Sequence, residues 1–116
     1  MGATEYGLTI IKEGDEGELQ SAVANIGPVS IGIDASHSFH FYKSGVYNEP
    51  KCGNSYWDLN HAVLVVGYGT DPDTNQDYWL VKNSWAATWG EEGYIRMRRN
   101  DNNMCGVATQ ASVPLV

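Results

Sequence analysis

The chain has 116 residues, the size of one domain or of one lobe of a larger one, and can bury a core with a modest stability margin. Hydrophobic residues make up 42% and charged residues 18%, which excludes a disordered chain. A net charge of -7 and a pI near 4.7 disfavour nucleic acid as a partner, and the longest apolar run, Ala62 to Val66, is far too short to span a membrane.

No charged-then-apolar leader opens the chain, which sets no limit on where a parent protein resides. Leu8 to Ile11 reads as a short strand after a glycine-containing turn. Asp15 offers a helix N-cap, with Glu18 as the reciprocal partner of a capping box. Leu19, Ala22, Val23 and Ile26 share one helical face, so the pattern predicts a helix over 15–26, stopped by Gly27-Pro28. Val29, Ile31 and Ile33 then alternate with Ser30, Gly32 and Asp34, the period of a strand. Phe39, Phe41 and Tyr42 are expected to pack as an aromatic cluster, with His37 and His40 as surface or packing residues. Gly45 to Tyr47 is a short extended piece, and 48–58, with Pro50, Gly53, Asn54 and Ser55, reads as loop.

His61 to Gly69 carries a nearly continuous apolar stretch, the mark of a strand buried on both faces. Residues 70–75 are a turn by composition, and Tyr78 to Lys82 is the return strand. Tyr94, Arg96 and Arg98 alternate with Ile95 and Met97 in a further strand. The basic cluster Arg96, Arg98 and Arg99, beside Asp101, is read as strand alternation or a solvated edge. The tail from Gly106 to Val116 is expected to be extended. Strands outnumber helices and the loops are short. The expectation is one α+β domain over 1–116, mainly an antiparallel sheet curled toward a barrel, with one main helix.

Two cysteines, Cys52 and Cys105, allow one disulfide or two buried thiols. A bridge would close a loop of about fifty residues, stabilise by about 4 kcal/mol and place the protein in an oxidising compartment.

His61 opens one strand and Asn83 closes the next, so a hairpin brings both to the same end. A carboxamide oxygen that accepts from one imidazole N–H fixes the ring's tautomer and orientation. The other nitrogen is then free to exchange a proton with a nucleophile. An amide orients without a carboxylate's charge, which suits a nucleophile acidic enough to form an ion pair, namely a thiol. Trp85, two residues on, could screen the pair from water and strengthen the bond.

Several blocks in order carry a resemblance. Leu59-Asn60-His61-Ala62-Val63-Leu64-Val65-Val66-Gly67-Tyr68-Gly69 resembles the histidine block of papain-like cysteine peptidases. Tyr78-Trp79-Leu80-Val81-Lys82-Asn83-Ser84-Trp85, with Trp89-Gly90 and Gly93-Tyr94-Ile95, resembles their asparagine block. Gly27-Pro28-Val29-Ser30 before Ile33-Asp34-Ala35, and Asn102-Asn103 with Cys105-Gly106-Val107-Ala108, resemble their buried-strand and C-terminal cysteine blocks. The likeness is to the cathepsin L group and to the β-rich C-terminal lobe of that fold. It implies His61 as general base and acid, Asn83 as its orienting amide and Trp85 as the shielding indole on the leaving-group side. It further implies Leu59, Asn60 and Ala62 beside the substrate, and Gly32 and Gln110 near the pocket for the second residue before the cleaved bond. Cys52 and Cys105 match a family disulfide.

The resemblance also sets expectations beyond the chain. The family's nucleophilic cysteine lies on a helix of the N-terminal half, in a block that this sequence does not contain, so the chain alone is expected to hydrolyse nothing. Expected partners are an N-terminal lobe bearing that cysteine, a polypeptide substrate, and a propeptide or cystatin-type inhibitor. The face meant for the other lobe would expose an apolar patch on the order of several hundred Å² and favour self-association. A lysosomal or secreted location is implied. No cofactor is expected, and the histidines lack metal-ligand spacing. Three departures stand out: Ala86 where glycine is usual, a segment around Ser36-His37-Ser38-Phe39 one residue short, and Val113 where an aromatic is common. Ala86 and Val113 leave open a papain-fold interaction domain without an active site, and a third option is a silicatein-like relative with serine as nucleophile, whose deciding position lies outside this sequence.

Overall fold

The computed structural model of the chain describes residues 2–3 and 8–114. Helix α1 spans Glu16–Asn25, and the Asp15 carboxylate caps it by accepting the Glu18 N–H at 2.9 Å. The Glu18 carboxylate reaches back past the cap and takes the Lys12 N–H at 3.2 Å. Leu19 and Ala22 of the expected face are buried, but Ile26 is 47% exposed. Ile26 is the C-cap, and Gly27, at φ +134, turns the chain away before that side chain reaches the sheet.

Strands β1 (Gly2–Ala3), β2 (Leu8–Ile10), β3 (Val29–Ile33), β4 (Val46–Tyr47), β5 (His61–Thr70), β6 (Asp77–Lys82), β7 (Tyr94–Arg98) and β8 (Ala111–Pro114) form one sheet. Their order is β1-β2-β8-β3-β5-β6-β7-β4. All neighbours pair antiparallel except β4 with β7. The order has two ends, each a two-residue strand, so the curl toward a barrel stops short of closure. One face of the sheet makes the core: Val29, Ile31, Val65, Trp79, Val81, Ile95 and Met97 are buried.

β5 departs from its expected burial on both faces. Val63 and Val65 are buried, whereas Ala62 is exposed and Leu64 and Val66 are half-buried. Helix α1 packs on β5 and β3 from the core side, and the described residues cover the other face only in part.

Other expectations need correction. Residues 37–41 form a three-ten turn, in which Phe39 is fully buried while Phe41 is 80% exposed. A tight turn cannot direct two alternate rings into one core. A second three-ten turn, Tyr56–Asp58, interrupts the loop and is closed by a capping box between Ser55 and Asp58. For the arginine cluster the strand-alternation reading holds, since Arg96 and Arg98 alternate with the buried Ile95 and Met97 in β7, and Arg99 just beyond is no solvated edge. Arg99 is 9% exposed and donates to Gln20 and to the carbonyls of Gly69 and Tyr78. Arg96 makes a two-pronged pair with Glu91, both contacts at 2.9 Å. The tail is extended only over β8, because a three-ten turn at Met104–Gly106 and a further turn precede it. Residues 115–116 and the side chains of His37 and Val113 lie outside the described residues.

Cys52 and Cys105 form a disulfide, with Cα atoms 5.0 Å apart. It ties the 48–58 loop to the turn before β8. Among the described residues, no helix is long and apolar enough to cross a membrane.

Candidate active site

β5 starts at His61, which pairs with Ile33 of β3, and β6 ends at Lys82, which pairs with Leu64 and Tyr94. Asn83 follows directly, and its N–H donates to the Gly93 carbonyl at 3.1 Å. The hairpin therefore sets both side chains at one end of the sheet. His61 Nε2 lies 2.7 Å from Asn83 Oδ1.

The Ser84 backbone N–H also meets Asn83 Oδ1, at 2.8 Å. A backbone N–H can only donate, so the amide oxygen must occupy that position. An oxygen only accepts. His61 Nε2 must then carry the proton in this bond, and in the neutral ring the lone pair resides on Nδ1. Asn83 is 3% exposed, and its Nδ2 is a buried atom without a partner among the described residues.

Rings enclose the pair. The Trp85 indole lies over the His61 ring, with centroids 5.0 Å apart and planes at 35°. Phe39 presses edge-on against both, at 6.1 Å from His61 and 5.6 Å from Trp85. Trp89 packs on Phe39 at 5.1 Å and meets Trp85 edge-to-face at 5.2 Å. Phe39 is thus the buried support of the site. Sequence reasoning placed it in a core cluster, but the contact with His61 carries no local sequence signal. Ala86 is not among the residues at positive φ, so alanine adopts this turn without the strain a left-handed position would impose.

The residues implied beside a substrate gather along one strip. Gly32 pairs with Ala62, and the Gly32 N–H donates to the Gln110 carbonyl at 3.2 Å. Together with Ser30 and Ser112 they border an open hollow of about 240 Å³. Leu59 leans over this strip. A Cβ on Gly32 would stand 3.2 Å from Leu59 Cδ1, and one on Gly106, at φ +78, would stand 2.6 Å from Cδ2. Both glycines make room for that leucine.

Asn60 behaves differently, because its side chain turns to the protein. Its Oδ1 accepts the Ala35 N–H, and its Nδ2 donates to Asp34 and to the Ser36 hydroxyl. Asp34 is a hub that sequence reasoning missed. It also accepts the N–H groups of Ser36 and Gly53, so the loop before His61 is tied to the end of β3. Burial pushes the Asp34 carboxyl up, but hydrogen bonds from Ser36, Gly53 and Asn60 outweigh it and hold the group below its ordinary value. An Asp closing a strand before Ala-Ser is the sequence signal that could have flagged it.

Both cysteines are consumed by the disulfide, so the chain holds no free thiol. What the arrangement can do alone is hold an imidazole in a fixed tautomer, with the indole against the ring and the lone pair on Nδ1.

Residues 2–115 match the family model described as papain family cysteine protease. Over the whole chain the sequence is 60% identical to cathepsin L of Sarcophaga peregrina, covering 34% of that protein. It is also 60% identical to digestive cysteine proteinase 2 of Homarus americanus, covering 35% of it. Digestive procathepsin L 3 of Tenebrio molitor larval midgut superposes with a TM-score of 0.89 at 49% identity, over 95% of this chain and 35% of that one. The chain spans about a third of the length of the relatives it matches.

Proposed function

Since the chain belongs to the papain family of cysteine proteases, we propose that it supplies the histidine and asparagine of a cathepsin L-like endopeptidase. The observation that carries this reading is the 2.7 Å contact between His61 Nε2 and Asn83 Oδ1, with the amide oriented by Ser84. The nucleophile is a cysteine on a separate N-terminal lobe. His61 Nδ1 takes the thiol proton, and the thiolate attacks the scissile carbonyl carbon to form a tetrahedral adduct. The resulting imidazolium returns that proton to the leaving amine as the C–N bond breaks. Water then releases the acyl group, with His61 taking its proton and passing it back to sulfur.

Leu59, Ala62, Gly32 and Gln110 line the side of the cleft before the cleaved bond, and the backbone at Asn60 borders it. An apolar second residue before that bond suits Leu59 and Gly32. A propeptide or a cystatin-type inhibitor would cover the same cleft. The disulfide is compatible with a lysosomal or secreted location.

The test is a chimera in which this chain replaces the aligned third of Sarcophaga peregrina cathepsin L. We expect hydrolysis of a fluorogenic peptide with leucine or phenylalanine at that second position, blocked by an alkylating thiol reagent. His61→Ala should remove about 10³-fold or more of kcat, and the chain alone should be inert. A chimera that folds, binds the peptide and does not cleave it would overturn the reading.

A further inference from the structure

A second hollow, of about 480 Å³, adjoins the site through His40, whose ring meets Trp85. Its walls come from His40 to Lys43 at the end of the three-ten turn and from Thr88 to Gly90 after the asparagine. Two basic side chains line it and no carboxylate does, on a protein whose net charge is -7. The His40 imidazole is exposed and rests on the Trp85 indole, with centroids 4.8 Å apart and planes at 32°. Trp85 is therefore shared between His40 and His61.

The wall is held in place. Trp89 Nε1 donates to the His40 carbonyl at 3.2 Å, and the Tyr42 hydroxyl donates to the Gly45 carbonyl at 2.6 Å. Gly90 takes φ +60, and a Cβ there would strike the Tyr94 carbonyl and crowd the Tyr42 ring, so the floor requires glycine. The nearest acids in sequence do not neutralise the hollow. Glu91 is held by both prongs of Arg96 and by the Gly45 N–H, and Glu92 is not one of the lining residues.

We propose that this hollow reads a carboxylate side chain on the leaving-group part of the peptide, with His40 and Lys43 as the specificity-determining residues. The proposal rests on the reading of the chain as a peptidase lobe. An imidazole N–H, available in either tautomer, and an ammonium group converge on the carboxylate, while Trp89 and Phe41 cover its methylene stem. The rings alone would favour any apolar side chain. The two donors, with no competing acid among the lining residues, select an acidic one.

The test uses the chimera described above and peptides differing only at the first three residues after the cleaved bond, as Glu, Gln or Lys. At one of these positions we expect kcat/KM for Glu to exceed that for Gln by about five- to tenfold, with Lys poorest. In Lys43→Gln the Glu-to-Gln ratio should fall to about twofold, and in His40→Gln/Lys43→Gln to about one. The ratio within each variant cancels any loss of folding or general activity. A ratio near one in the unaltered chimera, or a ratio that survives the double substitution, overturns the proposal.

A second measurement separates this from the catalytic reading. The chain itself is titrated by NMR with acetylated, amidated Ala-Glu-Ala and Ala-Gln-Ala. Stronger shifts of the His40 ring and Trp89 indole signals with the glutamate peptide support the site even if no chimera cleaves. Equal responses overturn it whatever the chimera does.

Discussion

Ser84 contributes only a backbone N–H to the site, yet that donor decides the state of the imidazole. It fixes the Asn83 oxygen, the oxygen demands a proton on His61 Nε2, and Nδ1 is left to accept. The neutral ring of His61 should therefore be the Nε2–H tautomer in the chain alone, before any nucleophile is present. Two-bond ¹⁵N–¹H correlation spectra of the imidazole would show Nδ1 with the shift of an unprotonated nitrogen, and Asn83→Ala should abolish the bias. A ring protonated on Nδ1 would contradict the orientation assigned to the amide. The pairing of His61 with Asn83 was legible in the sequence because both sit at the same end of one hairpin, a short-range matter of strand period and turn. The part played by Phe39 was not. Its ring reaches His61 from the segment between β3 and β4, and nothing local distinguishes it from Phe41, which is 80% exposed.

Elements are joined here by a few buried polar groups. Glu16, at the first turn of α1, accepts from Trp79 Nε1 and the N–H groups of Asn100 and Asn103, each at 2.9 Å. One carboxylate thus pins helix α1, strand β6 and the turn after β7. Glu16→Ala would leave one buried and two part-buried donors without this partner and should cost about 2 kcal/mol or more in chemical denaturation. Glu16→Gln keeps one oxygen and should cost less. Equal and small losses in both would show that the pin carries no weight. The same logic gives the pH dependence. Asp34 lies below its ordinary value near 3.8, and Glu91, beside Arg96, lies below 4.5. A carboxyl with a depressed folded-state pKa favours the fold while ionised. That contribution is complete above the unfolded value and is lost as pH falls through the folded one. The Tm should therefore decline as pH drops below about 4, and less steeply in Asp34→Asn. Tyr42 bounds the other side: burial pushes its hydroxyl up to about 12. Its stabilising effect is complete below the ordinary value of 10.0 and fades as pH rises toward 12, a limb that Tyr42→Phe should flatten. Helix α1 and the strands were readable from their periods. Two elements were not, the three-ten turn at 37–41 and the turns before β8. The latter hold Asn102, Asn103, Cys105 and Gly106 at positive φ, single-residue conformations that asparagine and glycine tolerate and that carry no repeating pattern to read.

At the scale of the whole molecule, the sheet is finished on one side only. Toward α1 it buries Val29, Ile31, Val63 and Val65, whereas across β3, β5 and β6 the other side presents Ser30, Ala62, Leu64, Lys82 and Ser84 around a hollow of about 360 Å³. The sequence of β5 reads as a strand buried twice, and the structure buries it once. Ala62 is exposed and Leu64 and Val66 are half-buried, and apolar surface left in water is costly at about 25 cal/mol per Å², so proteins cover it when a partner of suitable shape exists. In the reading proposed above that partner is the lobe bearing the cysteine. Without it, a second copy of the chain is the nearest apolar surface at high concentration. Sedimentation of the chain alone should then show concentration-dependent association together with binding of an apolar dye, while the chimera should be monomeric and dye-silent. Leu64→Lys should suppress both signals in the chain. Leu64 is only half-buried there, so the Tm should move little. A chain that stays monomeric and binds no dye would mean that this face is complete as it stands, and the cover inferred for β5 would have to be abandoned.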